Sequence, residues 1–201
     1  MKCHLFLIAI LLCFSASLAA QQAPTAPNPV PVAAPSPAID DDFVHKHFSD
    51  TCTLTPQWPP MTADLNADGV EDIVVVARCK NPLIDQGQND YKVIDPLDSF
   101  YGYGNVTITT GLAPDDPKVR GIALLIIHGA GPEAWRSPTP LAKFVIINLA
   151  VKTITVKKMK INKKKSTTAI YIEEAGEDKM TSAIYWDGHK YRYDPLGSSM
   201  E

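Results

Sequence analysis

The chain has 201 residues, of which 45% are hydrophobic and 20% charged, with a formal net charge of −3 at neutral pH. The mild acidity argues against nucleic acid as the main partner. Beyond the N-terminal twenty residues no stretch approaches the roughly 18 uninterrupted apolar residues of a membrane-spanning helix; the longest candidate there, from Ile122 to Ile127, is closed by His128-Gly129.

The N-terminus combines Lys2, an apolar run from Leu5 to Phe14 and the small residues Ser15 to Ala20. Residues 1–20 are therefore expected to be a signal peptide cleaved near Ala19 or Ala20, and the protein to be secreted or periplasmic. Residues 21–38 are rich in Pro, Ala and Gln and should form an extended tether. Residues 39–201 have the length of one ordinary domain. Cys3 and Cys13 fall within the signal, which leaves Cys52 and Cys79. In an oxidising compartment such a pair is most simply a disulfide.

In chain order, Asp40-Asp41-Asp42 before Phe43–Phe48 predicts a short helix, because acids suit its N-terminal end. After the proline-broken stretch 56–60, the β-branched run 73–78 predicts a buried strand. Residues 80–104 read as a long surface loop with a short strand near Tyr91–Ile94. In its tail Phe100, Tyr101 and Tyr103 alternate with glycine, a candidate binding surface or a set of rings folded over the core edge.

Further strands are predicted at 106–110, 121–127, 142–149, 152–161, 168–173, 183–186 and 189–193. The apolar parity changes between Ile154/Val156 and Met159/Ile161, which predicts a bulge or a strand break near Lys157-Lys158. Asp187-Gly188 predicts a two-residue hairpin turn pairing Trp186 with His189, Ile184 with Tyr191 and Ser182 with Tyr193. The expected fold is mostly β, a β-rich α+β class: a single compact domain of antiparallel strands with one short N-terminal helix.

The segment from Asp64 to Asp72 places oxygen-bearing side chains at positions one, three, five and nine, with Gly69 at six. A hard cation needs such a set: side-chain oxygens from Asp64, Asn66, Asp68 and Asp72, and the backbone carbonyl of Val70. Position twelve is Val75, so the loop is not a full EF-hand, and a strand replaces the exiting helix. Over residues 64–76 it resembles the calcium loops of FG-GAP and integrin-α-type repeats, which lie between β-strands. The resemblance implies that Asp64, Asn66, Asp68, Val70 and Asp72 hold Ca²⁺ as a structural ion. One copy without an internal period gives no expectation of a propeller.

Other motifs carry less. Residues 126–131 look like the His-Gly oxyanion turn of α/β-hydrolases, but no Gly-x-Ser-x-Gly elbow follows. His45 and His47, two apart on a helix, face different ways and make a poor metal pair. The lysines between 157 and 165 would suit either an anionic polymer or membrane surface, or a protected strand edge. Asn105-Val106-Thr107 is formally a glycosylation acceptor. No catalytic residues are assigned. The expectation is an exported, non-catalytic, calcium-stabilised β domain that acts as a binding or interaction module, with a protein or polysaccharide as candidate ligand. The alternative is a secreted hydrolase drawing acids from the Asp85–Asp98 loop or Asp115-Asp116.

Overall fold

The computed structural model describes residues 38–95, 116–163, 165–175 and 180–198. The expected signal peptide, nearly all of the tether, the Phe100, Tyr101 and Tyr103 surface and the strand at 106–110 lie outside the described residues. Within them the chain forms α1 (Asp41–His47), β1 (Cys52–Leu54), β2 (Met61–Ala63), β3 (Asp72–Cys79), α2 (Pro82–Asn89) and β4 (Lys92–Ile94). After these come β5 (Ile122–His128), a 3-10 turn (Gly131–Arg136), β6 (Ala142–Ile146), β7 (Val151–Lys160), β8 (Ser166–Glu174), β9 (Met180–Trp186) and β10 (Tyr191–Ser198).

Two sheets form. The first runs β1-β3-β5-β6-β4, with β2 also paired to β3; the second runs β10-β9-β8-β7. Every pairing is antiparallel except β4 with β6. The first sheet is the middle layer, and for that reason β3 and β5 read as unbroken Ile/Val/Leu runs instead of alternating. Ile73, Val75, Leu125 and Ile127 face Phe43, Val44 and Trp135 on one side. Val74, Val76, Leu124 and Ile126 face Ile170, Ile172 and Ile184 of the second sheet on the other. Each such aliphatic side chain removed from water contributes about 1.5–3 kcal/mol, so both interfaces rest on these two strands. The fold class is as the sequence implied, a strand-rich α+β fold.

Helix α1 forms where expected, with Asp40 accepting from the Phe43 amide at 2.9 Å as its N-cap. It is not the only helix: residues 82–89, read as loop, form α2. Pro82 sits at the first turn, where its fixed φ suits a helix, and Asp90 ends it in the left-handed region at φ 51°. Asp85 accepts hydroxyl hydrogens from Ser49 (2.7 Å) and Thr51 (2.6 Å), which fastens α2 to the chain before β1. Lys143 donates to the carbonyls of His47 (2.8 Å) and Asn89 (2.5 Å), the last residues of both helices, where a cation offsets the helix dipole. These partners are distant in sequence, and Gly87 and Gln88 gave α2 no apolar period.

Two pairing details also differ from expectation. Neither a bulge nor a break lies at Lys157-Lys158, which pair regularly with Ala169 and Thr168; the shift is between Val151 and Thr153. The parity changes because the strand feeds both faces: Ile154 and Val156 pack inward, while Met159 joins Ala169 and Ala183 outside. In the final hairpin Trp186 pairs with Tyr191, Ile184 with Tyr193 and Ser182 with Pro195, two residues on from the predicted register. Asp187 accepts the amides of His189 (2.8 Å) and Lys190 (3.0 Å), which closes a four-residue loop. A shift of two keeps each side chain on its face, so Trp186, Ile184 and Tyr193 still point to the core.

Candidate functional site

The acidic loop lies between β2 and β3 and is organised by its own side chains. Asp64 accepts from the amides of Asp68 (3.2 Å) and Gly69 (3.1 Å), Asn66 from that of Asp68 (3.0 Å), and Asp68 from that of Val70 (2.8 Å). The Asn66 side-chain amide donates to the Asp68 carboxylate at 2.8 Å. Such turns need left-handed backbone, supplied by Ala67 (φ 63°) and Gly69 (φ 85°). Val70 follows with its carbonyl in the same short loop. Asp64, Asn66, Asp68 and Val70 are thus brought together.

Asp72 is placed differently. It is fully buried at the start of β3, where its carboxylate accepts from the Leu65 amide and, across the sheet, from the Gly129 amide, both at 2.8 Å. Burial pushes it up to about 6, against the pull of the Gly129 and Leu65 amides; the nearby Asp68 charge pushes the same way as burial. Beside it, Glu71 accepts from the Trp135 indole (2.9 Å) and pairs with Arg136 (3.4 Å), and its carbonyl accepts from the Trp135 amide at 3.0 Å. Gly129 is required here, because a Cβ would fall 2.7 Å from the Trp135 nitrogen and against the Glu71 carbonyl.

The two motifs singled out separately, the acidic loop and the His-Gly turn, are therefore one structure. The Gly129 amide, which an oxyanion turn would offer to a substrate, is bonded to Asp72. His128 is 2% exposed and shares a 2.7 Å hydrogen bond between its Nε2 and the Tyr191 hydroxyl, within rings of Phe144 and Trp186. Burial lowers it to about 4, although the Asp68 and Asp64 charges pull the other way, so it is neutral at pH 7. Burial, with Asp72 adding to it, raises the Tyr191 hydroxyl well above its usual range. Sequence reading passed over this His–Tyr pair. Its one visible signal was a polar ring ending an otherwise apolar strand.

The donor set of the loop suits a hard cation: carboxylate and amide oxygens, with no sulfur or imidazole. Each carboxylate oxygen that accepts one amide keeps further lone-pair capacity. As the loop stands, however, no group of three His, Cys, Asp or Glu side chains among the described residues converges as a metal site.

Cys52 and Cys79 form a disulfide between directly paired residues of β1 and β3, 27 positions apart, and the acidic loop lies inside the segment they close. His45 and His47 join no group of three metal-ligating side chains among the described residues. Three of the described acids of the hydrolase alternative hold structure: Asp85 binds Ser49 and Thr51, Asp95 accepts from Asn148 (2.6 Å), and Asp116 accepts from the Lys118 amide (2.8 Å), while Asp90 lines a surface cleft. Comparison of the chain with family models, curated proteins and solved structures found no match.

Proposed function

We propose that the protein is an exported, non-catalytic binding domain whose acidic loop takes Ca²⁺ as a structural ion. The observation that carries the calcium reading is the hydrogen-bonded loop itself, which holds Asp64, Asn66 and Asp68 in one turn immediately before the central strand. In this reading Asp64, Asn66, Asp68 and the Val70 carbonyl hold the ion. Asp72, at the ninth position, acts through water, as that position often does. The bound charge would offset the repulsion among the three aspartates. Binding in the range of roughly 10⁻⁴ to 10⁻³ M fits an extracellular module without a twelfth-position ligand.

The absence of catalysis is supported by the use the fold makes of its candidate groups: the Gly129 amide and the Asp85, Asp95 and Asp116 carboxylates are occupied in internal bonds. Export is supported by the N-terminal sequence and, more weakly, by the disulfide. The test is thermal unfolding of the full chain in chelator and then in rising Ca²⁺, beside Asp68→Ala. Wild type should gain about 4 kcal/mol at a thousand times the dissociation constant, and Asp68→Ala nothing. If neither midpoint moves, the calcium reading is wrong.

A further inference from the structure

Helix α2 has eight residues, about 12 Å of helix, and covers the first sheet incompletely. Of its two large apolar side chains only Leu83 packs against the helix-side core, while Ile84 is 77% exposed. At the end of that sheet, where β3 stops and β5 begins, this leaves a cleft of about 230 Å³ beside the first turn of α2. Cys79, Ala123 and Ile147, all members of the helix-side core, line it together with Leu83.

The charge of the lining has one sign. Lys80 and Arg120 line the cleft, and among the described residues no acid does. Both cations are exposed, and Lys80 forms no ion pair among the described residues. Arg78 donates to the carbonyls of Lys118 (2.7 Å) and Arg120, which holds the turn carrying Arg120 against the end of β3. Asn148 also lines the cleft; its side-chain amide donates to Asp95, which is 1% exposed and outside the lining. Asp116 is outside it too and accepts from the Lys118 amide.

We propose that this cleft binds a small amphiphilic carboxylate, with an aliphatic chain against Leu83, Ala123 and Ile147 and the carboxylate at Lys80 and Arg120. Size sets the length of the chain: at about 30 Å³ per water-sized group, the cleft holds about seven or eight such groups. Charge complementarity selects an anionic head, and two cations without an acid reject an ammonium. The apolar wall excludes a strongly hydrated inorganic anion, which would find nothing there to replace its water. The proposal rests on the reading of the chain as a binding module and supplies its ligand class. The calcium loop, before the opposite end of β3, does not enter it.

The test titrates the full chain with butanoate, hexanoate and octanoate by calorimetry at about 0.15 M salt, with octan-1-ol and octylammonium in parallel. All titrations are run in chelator, so failure of the calcium reading leaves them unaffected. Saturable binding of a single octanoate is expected, about fifteenfold tighter than hexanoate, because each buried methylene contributes about fourfold. Octanol should bind more weakly and octylammonium not at all. Lys80→Gln should weaken octanoate about tenfold and leave octanol unchanged, whereas Lys160→Gln, the same change of charge on the second sheet, should alter neither. Ala123→Leu, which fills the floor, should weaken both octyl ligands. The chain-length series needs only the wild type, so it decides the matter even if Ala123→Leu does not fold. No octanoate binding, an affinity independent of chain length, octanol binding as tightly as octanoate, or equal losses in the two lysine variants would each overturn the proposal.

Discussion

Two aspartates in this molecule do the same local job with opposite electrostatic results. Asp72 and Asp187 each accept two backbone amides at a turn beside a strand. Asp72 is pushed up to about 6 because burial outweighs its amides. For Asp187, burial also pushes upward, but the Lys190 amide, Arg192 and the His189 amide together bring it down to about 2. One carboxylate joins distant segments inside the protein, since Gly129 is 57 residues away; the other closes a hairpin in contact with solvent. Turn chemistry alone, then, does not reveal what a turn residue does for the fold.

The largest test of that difference is Asp72→Ala. It strands two buried amides, each costing about 1–3 kcal/mol, so chemical denaturation should show a loss of about 4 kcal/mol. A loss no larger than that of Asp187→Ala would break the comparison. Gly129→Ala attacks the same junction from the other side and should be similarly severe, through contact with the Glu71 carbonyl and the Trp135 nitrogen. Next in size is the disulfide that encloses the loop: Cys52→Ser/Cys79→Ser should cost on the order of 3 kcal/mol, as expected for a closed segment of this length.

Much of the fold was legible from local pattern. The Ile/Val run of β3, the Asp-capped α1 and the inward face of the last hairpin all follow from periodicity and turn chemistry. What was not legible depends on partners far along the chain. Helix α2 is fixed by Ser49, Thr51 and Lys143, none of which its own composition announces. Met159 broke the parity of β7 because the sheet has a second, outer cluster, which one strand's pattern cannot separate from a bulge. At the candidate site the sequence named the loop residues, but not that Asp72 would bond to the His-Gly turn, nor that His128 would meet Tyr191.

The buried pair Asp72 and His128 gives a pH test that sharpens the comparison, best read in chelator. Asp72 has a folded value of about 6 against 3.8 for the free group, so the native state takes up the proton first. Its contribution therefore rises as pH falls from about 6 to 4. His128, folded at about 4 against 6.5, takes up its proton later than the unfolded chain, so its contribution is lost over nearly the same window. The opposed slopes should largely cancel in the wild type. Asp72→Asn should then lose stability on acidification from pH 6.5 to 4, by on the order of 3 kcal/mol, and His128→Gln should gain it. Parallel curves for all three proteins would mean that neither group titrates as its burial implies.

Asp187→Ala should have the smallest effect, about 1 kcal/mol, because its amides and Arg192 can turn to water when the carboxylate is gone. Its pH signature has the opposite sign from that of Asp72. A carboxylate held below its free value contributes stability that is present above pH 4 and disappears as pH falls toward 2. The wild type should therefore lose more stability than Asp187→Ala between pH 4 and 2, and high salt should shrink the gap, since Arg192 is exposed. A gap that persists unchanged in salt would mean that the two amide bonds, and not the guanidinium, hold Asp187 down. Its difference from Asp72 would then be one of burial alone.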